Sequence, residues 1–377
     1  MTQRVLVTGG GGFIGSHLVD ALIDRGHEVR VFDKLVPQVH GRKGIPSYVN
    51  PRAEFYRGDV ANRSLADRAL EGVGTVFHLA ALVGVGQSMY EMARYTRDNC
   101  WATARFLEAV AERRPKVRRL VVASSMSIYG EGSYECRECG PVAPGLRPKE
   151  QLERGEWEMR CPTCGGVAVP RPTSEAKPLA PTSVYAVNKR DQEEMCIAVG
   201  RAYGIPSAAL RLFNVYGTRQ SLNNPYTGVA AIFSSRLLND HPPFVFEDGR
   251  QSRDFVHVSD VVRAMLLTAE SEDASFGVFN VGTGRPVSVM EVATILARYL
   301  GKDIDPAVVG KFREGDIRHC YADTSKARDV LGFRASVSFE DGVKDLCEWA
   351  HDERPRDGTE RAIGELAARG LVDWTSH

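Results

Sequence analysis

Thr8-Gly-Gly-Gly-Gly-Phe-Ile-Gly15 lies between an apolar run, Arg4 to Val7, and a stretch of helical periodicity beginning near Phe13. Gly9, Gly12 and Gly15 are spaced Gly-x-x-Gly-x-x-Gly, a pattern that permits a tight strand-to-helix turn. It also lets the backbone approach a pyrophosphate at the helix N-terminus. The chain should therefore open with a βα unit whose helix stops at Gly26. Further short apolar runs, Glu28 to Phe32, Glu54 to Tyr56, Thr75 to Leu79 and Arg119 to Ala123, alternate with helical patterns, as parallel βαβ units do. Asp33 ends the second run, 18 residues after Gly15, where a carboxylate accepts both ribose hydroxyls and repels a 2′-phosphate. NAD is favoured on that ground, and the adjacent Lys34 keeps NADP in view.

At 377 residues the chain can bury a full core and hold two subregions. Its 48 basic and 48 acidic residues cancel, which argues against a nucleic-acid or polybasic membrane role. No apolar run approaches the ~18 residues of a membrane span. The N-terminal residues run directly into a strand pattern without signal-peptide anatomy, so a cytoplasmic protein is expected.

Tyr185-Ala-Val-Asn-Lys189 carries the chemistry. A tyrosine and a lysine four apart on a helix share one face, and the ammonium can depress the phenol's pKa toward the working pH. Such a tyrosine is a general base for a sugar or alcohol hydroxyl. Ser124-Ser-Met-Ser-Ile-Tyr-Gly130 stands about 60 residues earlier. Taken singly, a surface Tyr and Lys or a turn-forming serine would show the same letters.

As an ordered set the motifs are similar to those of the extended short-chain dehydrogenase/reductases, the NAD-dependent nucleotide-sugar epimerases and dehydratases. The set comprises the glycine turn, Gly58-Asp59-Val60, His78-Leu-Ala-Ala81, Asn99, Tyr185-x-x-x-Lys189, Arg211-Leu-Phe-Asn-Val-Tyr-Gly217, Arg253-Asp-Phe-Val-His-Val258 and Asn280-Val-Gly-Thr-Gly284. The resemblance implies a Rossmann-like doubly wound parallel sheet with a smaller C-terminal substrate domain. It implies cofactor contacts from Gly9, Gly12, Phe13, Ile14, Gly15, Asp33 and Lys34. It adds Asp59, Val60, Leu79, Ala80, Ala81, Asn99, Ser124, Tyr185 and Lys189, and makes Ser125, Tyr185 and Lys189 catalytic. The implied mechanism is transient oxidation: Tyr185 takes the hydroxyl proton while hydride leaves sugar C4, the keto sugar turns over, and hydride returns to its other face. Met126 and Ser127 stand where related 4,6-dehydratases carry an Asp-Glu pair, and related decarboxylases place a Glu at the position of Ser127, so elimination and decarboxylation are disfavoured. A nucleoside diphosphate sugar would meet Ser125, Met126, Asn214, Arg253, Arg313 and Asp316. Glu247-Asp248-Gly249 departs from the Gly-Asp-Gly frequent in the family.

Cys136-x-x-Cys139 and Cys161-x-x-Cys164 are separated by 21 residues, and each pair is followed by a glycine, Gly140 or Gly165. Four thiolates complete a tetrahedral zinc site, so a structural zinc in a zinc-ribbon-like insertion is expected, with two disulfides as the alternative. Cys100, Cys196, Cys320 and Cys347 read as ordinary buried thiols. The expected organisation is a cofactor domain over 1–130 and 173–215, the cysteine insertion over 131–172, a mainly substrate-binding region over 216–350, and a tail over 351–377. That tail reads as a docked helix or a frayed end. The insertion, with Asn223-Asn-Pro-Tyr-Thr-Gly228, resembles the dTDP-L-rhamnose 4-epimerase subgroup, whose product is dTDP-6-deoxy-L-talose. UDP-hexose or UDP-hexuronate 4-epimerases are the alternative within enzymes, and a non-catalytic Rossmann sensor with a zinc interaction module is the alternative of another class. Helices near 91–113 and 183–203 resemble those that pair subunits, so a homodimer is expected.

Overall fold

The computed structural model describes residues 2–41, 44–113, 116–372 and 374. Its centre is a seven-stranded sheet, parallel throughout, ordered Val278–Val281, Ser207–Leu212, Arg119–Ser125, Thr75–His78, Arg4–Thr8, Glu28–Asp33 and Glu54–Arg57. The five N-terminal strands fall within two residues of the expected apolar runs. Alternation explains why the runs are apolar throughout. Val5 and Val7 pack on one face with Leu18, Val261 and Met265, while Leu6 packs on the other with Val76, Phe106 and Val122. Both faces are therefore covered by helices, and neither tolerates a polar row. The edge strand Val278–Val281 arrives from the stretch beyond residue 216.

Helix Phe13–Asp24 begins at Gly12 and is followed by Gly26 at φ +81°. Helix Val184–Tyr203 is capped by the Ser183 hydroxyl, which accepts from Ala186 N at 3.1 Å, and ends at Gly204 in the left-handed region. Among its described residues the loop expected over 34–51 contains one short turn of helix, Pro37–His40.

Beyond the sheet, helices Val229–Leu238, Val289–Tyr299 and Phe339–His351 enclose Tyr216, Phe255, Leu296 and Leu346 around a small second sheet. Residues 131–172 contain an antiparallel three-stranded sheet, Gly140–Val142, Ser133–Cys136 and Ala168–Arg171. The tail forms helix Thr359–Ala367, and it is docked: Ile363 and Leu366 are buried against Phe246. Among the described residues no helix is long and apolar enough to cross a membrane.

Candidate active site

Two clefts meet above the C-terminal ends of the sheet strands. The first is bordered by Gly9, Gly12, Phe13, Ile14, Gly15, Asp33, Lys34, Asp59, Val60, Leu79, Ala80, Ala81, Ser124 and Lys189. The second is bordered by Met126, Arg253, Arg313 and Asp316. Ser125, Tyr185 and Asn214 border both. Ser125 and Tyr185, two of the three expected catalytic residues, thus stand where the two spaces join, and the third, Lys189, borders the first cleft alone.

The first cleft is built for a dinucleotide. A Cβ on Gly15 would lie 2.2 Å from the Gly9 carbonyl oxygen, and one on Gly9 would meet Ala80 N at 2.8 Å. Only glycine lets the turn close this tightly. Gly12 offers no side-chain cap to helix Phe13–Asp24, so its first-turn amides remain available to an anion at the cleft. The Asp33 carboxylate accepts from Gly11 N at 3.0 Å and from Leu35 N at 2.8 Å, which fixes it at the rim. Lys34 Nζ pairs with Asp98 at 2.7 Å and Asp59 at 3.2 Å. That cation is already neutralised, which favours a ribose diol over a 2′-phosphate beside Asp33.

Asn99 does not border the cleft. Its side chain accepts from Leu82 N at 2.7 Å and donates to Leu82 O at 3.1 Å, holding the Leu79–Leu82 wall from behind. His78 is a satisfied core histidine between the Thr8 and Thr103 hydroxyls, at 2.8 and 2.9 Å, and burial pushes it down to about 3.

Tyr185 is 9% exposed and its backbone N–H donates to Ser88 Oγ at 3.0 Å. The expectation that Lys189 sets the phenol is corrected here. Burial pushes Tyr185 up to about 12, opposed by the nearby Ser125 hydroxyl. Burial likewise pushes Lys189 down to about 8. The reason is geometric: Lys189 Nζ donates to Gln192 Oε1 at 2.7 Å, and Gln192 in turn donates to Thr103 Oγ1 at 2.8 Å. Desolvation then outweighs the helical spacing. The Ser125 hydroxyl also accepts from Ser127 Oγ at 2.9 Å, whereas Ser124 points away to Glu193.

On the substrate side, Asn214 Oδ1 is buried without a partner among the described residues, an acceptor left for a ligand. The Arg253 guanidinium is fixed by donations to the carbonyls of Ser252, Ile317 and Arg318 at 2.6–2.9 Å. Arg313 lies over the Phe246 ring at 4.6 Å and donates to Asp316 at 2.8 Å. Two contributors were missed in the sequence. Glu193, held by Arg211 Nη2 at 2.6 Å, anchors Ser124, and the tail residues Ala362, Ile363 and Leu366 border the second cleft. The Tyr185 helix carried the Glu193 signal as a buried acid two turns on. Nothing in the tail sequence pointed to the cleft.

The four insertion thiols Cys136, Cys139, Cys161 and Cys164 lie within 4.8 Å of one another and are unpaired, not joined as disulfides. A tetrahedral zinc with Zn–S near 2.3 Å sets its sulfurs about 3.8 Å apart, so the cluster fits that ion. Amides of Cys164 and Thr163 aimed at the Cys161 sulfur hold its thiol down to about 6. Gly140 and Gly165 have φ of +73° and +74°, which gives the expected tight turns.

Residues 5–147 match the NAD dependent epimerase/dehydratase family profile and residues 165–346 that of GDP-mannose 4,6 dehydratase. The dTDP-L-rhamnose 4-epimerase of Burkholderia thailandensis is 35% identical, the match spanning 94% of this chain and 96% of that protein. The UDP-glucose 4-epimerase of Thermotoga maritima, solved with UDP-glucose, superposes with a TM-score of 0.75 at 32% identity over 93% of this chain and 99% of that one. The Thermus thermophilus UDP-glucose 4-epimerase, solved with NAD, gives 0.73 at 30% identity over 93% and 99%.

Proposed function

The chain belongs to the NAD-dependent epimerase/dehydratase family, and from that membership we propose that it is a nucleotide-sugar 4-epimerase. The observation that carries the reading is the pair Ser125 and Tyr185 at the junction of the two clefts. NAD, held by the glycine turn, Asp33 and Lys189, would supply a hydride acceptor and donor at that junction. Tyr185 takes the proton of the sugar 4-hydroxyl, and Ser125, beside it at the junction, shares that proton during transfer. Lys189, four residues on, keeps the developing phenolate favourable once the site is filled. Met126 and Ser127 offer no ionisable group, which supports return of the hydride over elimination.

dTDP-L-rhamnose is the substrate we favour, with dTDP-6-deoxy-L-talose as product. The Burkholderia thailandensis relative and the cysteine insertion support this, and so does an apolar lining of Val83, Val85, Met89 and Met126 suited to a 6-deoxy sugar. UDP-hexose or UDP-hexuronate is the second reading, and the Thermotoga maritima enzyme, solved with UDP-glucose, supports the hexose. Arg253 and the side-chain N–H of Asn214 would donate to the diphosphate. The insertion would carry one structural zinc. Exposed Met92, Trp101 and Val187, on adjoining helices, support a homodimer, which light scattering would check.

The deciding experiment incubates the purified protein with a panel of dTDP- and UDP-sugars and resolves the products by NMR. One 4-epimer is expected, without added reductant and without NADH accumulation. Tyr185→Phe should abolish it and retain NAD. Stoichiometric NADH, or full activity in Tyr185→Phe, would overturn the reading.

A further inference from the structure

Glu247 occupies a backbone conformation that does not suit it. Its φ is +53°, in the left-handed region, and it stands where the resembling family often carries glycine. Its carboxylate is nonetheless buried, with a side-chain exposure of 3%, and it borders the second cleft. Two buried arginines hold it there. Arg147, from the cysteine insertion, donates Nη2 to Oε1 at 2.7 Å and Nη1 to Oε2 at 3.0 Å; Arg318 donates Nη1 to Oε2 at 2.8 Å. Arg147 and Arg318 are themselves 1% and 0% exposed at the side chain.

The same arginines reach further along the cleft wall. Arg147 Nη2 also donates to the Asp316 carbonyl at 3.3 Å, and Arg318 Nη2 donates to Glu158 of the insertion at 2.5 Å. The Arg318 carbonyl accepts from Arg253 at 2.9 Å, and Glu247 N donates to Lys311 O at 2.8 Å. A continuous bonded path therefore runs from the insertion through Glu247 and Arg318 to Arg253 and the 311–318 segment. A bidentate pair between arginine and carboxylate is directional as well as strong, so it fixes orientation and not only proximity.

We propose that Glu247 is a positioning residue: paired with Arg147, it makes the cysteine insertion a brace that holds Arg253 and the 311–318 wall in register to receive the nucleoside diphosphate. The side chain at a glycine-favouring position is explained by this pairing, since a glycine there could not engage the insertion. The inference rests on the proposed nucleotide-sugar function, and it makes the insertion part of the substrate site instead of a separate interaction module.

The test uses Glu247→Gly, which relaxes the backbone while severing the brace, and Arg147→Met, which severs it from the insertion side. Calorimetric titration with dTDP and UDP as probes should show affinity falling at least about tenfold in both variants, with NAD affinity unchanged. Where turnover is measurable, KM should rise by a similar factor with kcat within about twofold. Hydrogen exchange should accelerate in residues 145–160 and 311–318, and Glu247→Gln should recover part of the affinity. Both variants binding dTDP and UDP as the unmodified protein does, with unchanged exchange over 311–318, would overturn the proposal. If the unmodified protein bound neither probe, the nucleotide-sugar function would fail, and the exchange over 311–318 would alone decide the brace.

Discussion

The Ser124 hydroxyl donates to the Glu193 carboxylate at 2.6 Å, away from the joined clefts, while its neighbour Ser125 borders both clefts beside Tyr185. Adjacent residues on a strand face opposite ways, so one serine serves the buried Arg211–Glu193 pair and the next faces the proposed site of reaction. Ser125→Ala should lower kcat about a hundredfold with little change in melting temperature. Ser124→Ala should do the reverse, costing about 1–3 kcal/mol of stability, since it removes a donor from a buried carboxylate. Steady-state kinetics beside thermal unfolding of both variants checks the division. A kinetic defect as large in Ser124→Ala as in Ser125→Ala would reject it.

Lys189 is charged at a cost. Its folded pKa is depressed to about 8 from 10.5, so between those values the unfolded chain binds more protons than the native one, and stability rises with pH across that window. Below pH 8 the full penalty applies, of order 3 kcal/mol by the shift alone. Lys189→Met should therefore be inactive yet more stable than the parent at pH 7 in the absence of NAD, by about 1–3 kcal/mol. The gap should close by about pH 10.5. Denaturant unfolding at pH 7, 9 and 10.5 measures it, and a variant less stable at pH 7 would contradict the burial argument.

The insertion should hold one zinc per chain through its four thiols. Chelation, or Cys161→Ser, should expose residues 131–172 to protease while the parallel sheet, whose core lies outside them, keeps its thermal transition. Metal analysis and limited proteolysis give the answer. No zinc, with four freely titratable thiols in the native protein, would refute the site.

Helix Thr359–Ala367 is locked to the body by Glu365, which accepts from Tyr226 at 2.5 Å and Tyr90 at 2.8 Å. Leu366→Asn, placing an amide in the apolar wall of the second cleft, should raise KM for the nucleotide sugar about tenfold and leave NAD binding intact. Equal losses of NAD and sugar binding would show a folding defect instead.

Local rules wrote much of this protein into its sequence. The five N-terminal strands, the turn that only glycine can close, the helix carrying Tyr185 and Lys189 and the pairing of two Cys-x-x-Cys knuckles each depend on residues a few positions apart, where steric and periodic constraints are strong. What depends on residues far apart was not legible. Arg147 and Glu247 are 100 positions apart, and neither letter betrays that the other neutralises it. The tail's apolar face could as well have covered any surface, and only tertiary packing put it against Phe246. The phenol of Tyr185 makes the same point: its spacing to Lys189 was visible, but the burial that outweighs that spacing belongs to the assembled fold, since desolvation is set by everything that surrounds a group.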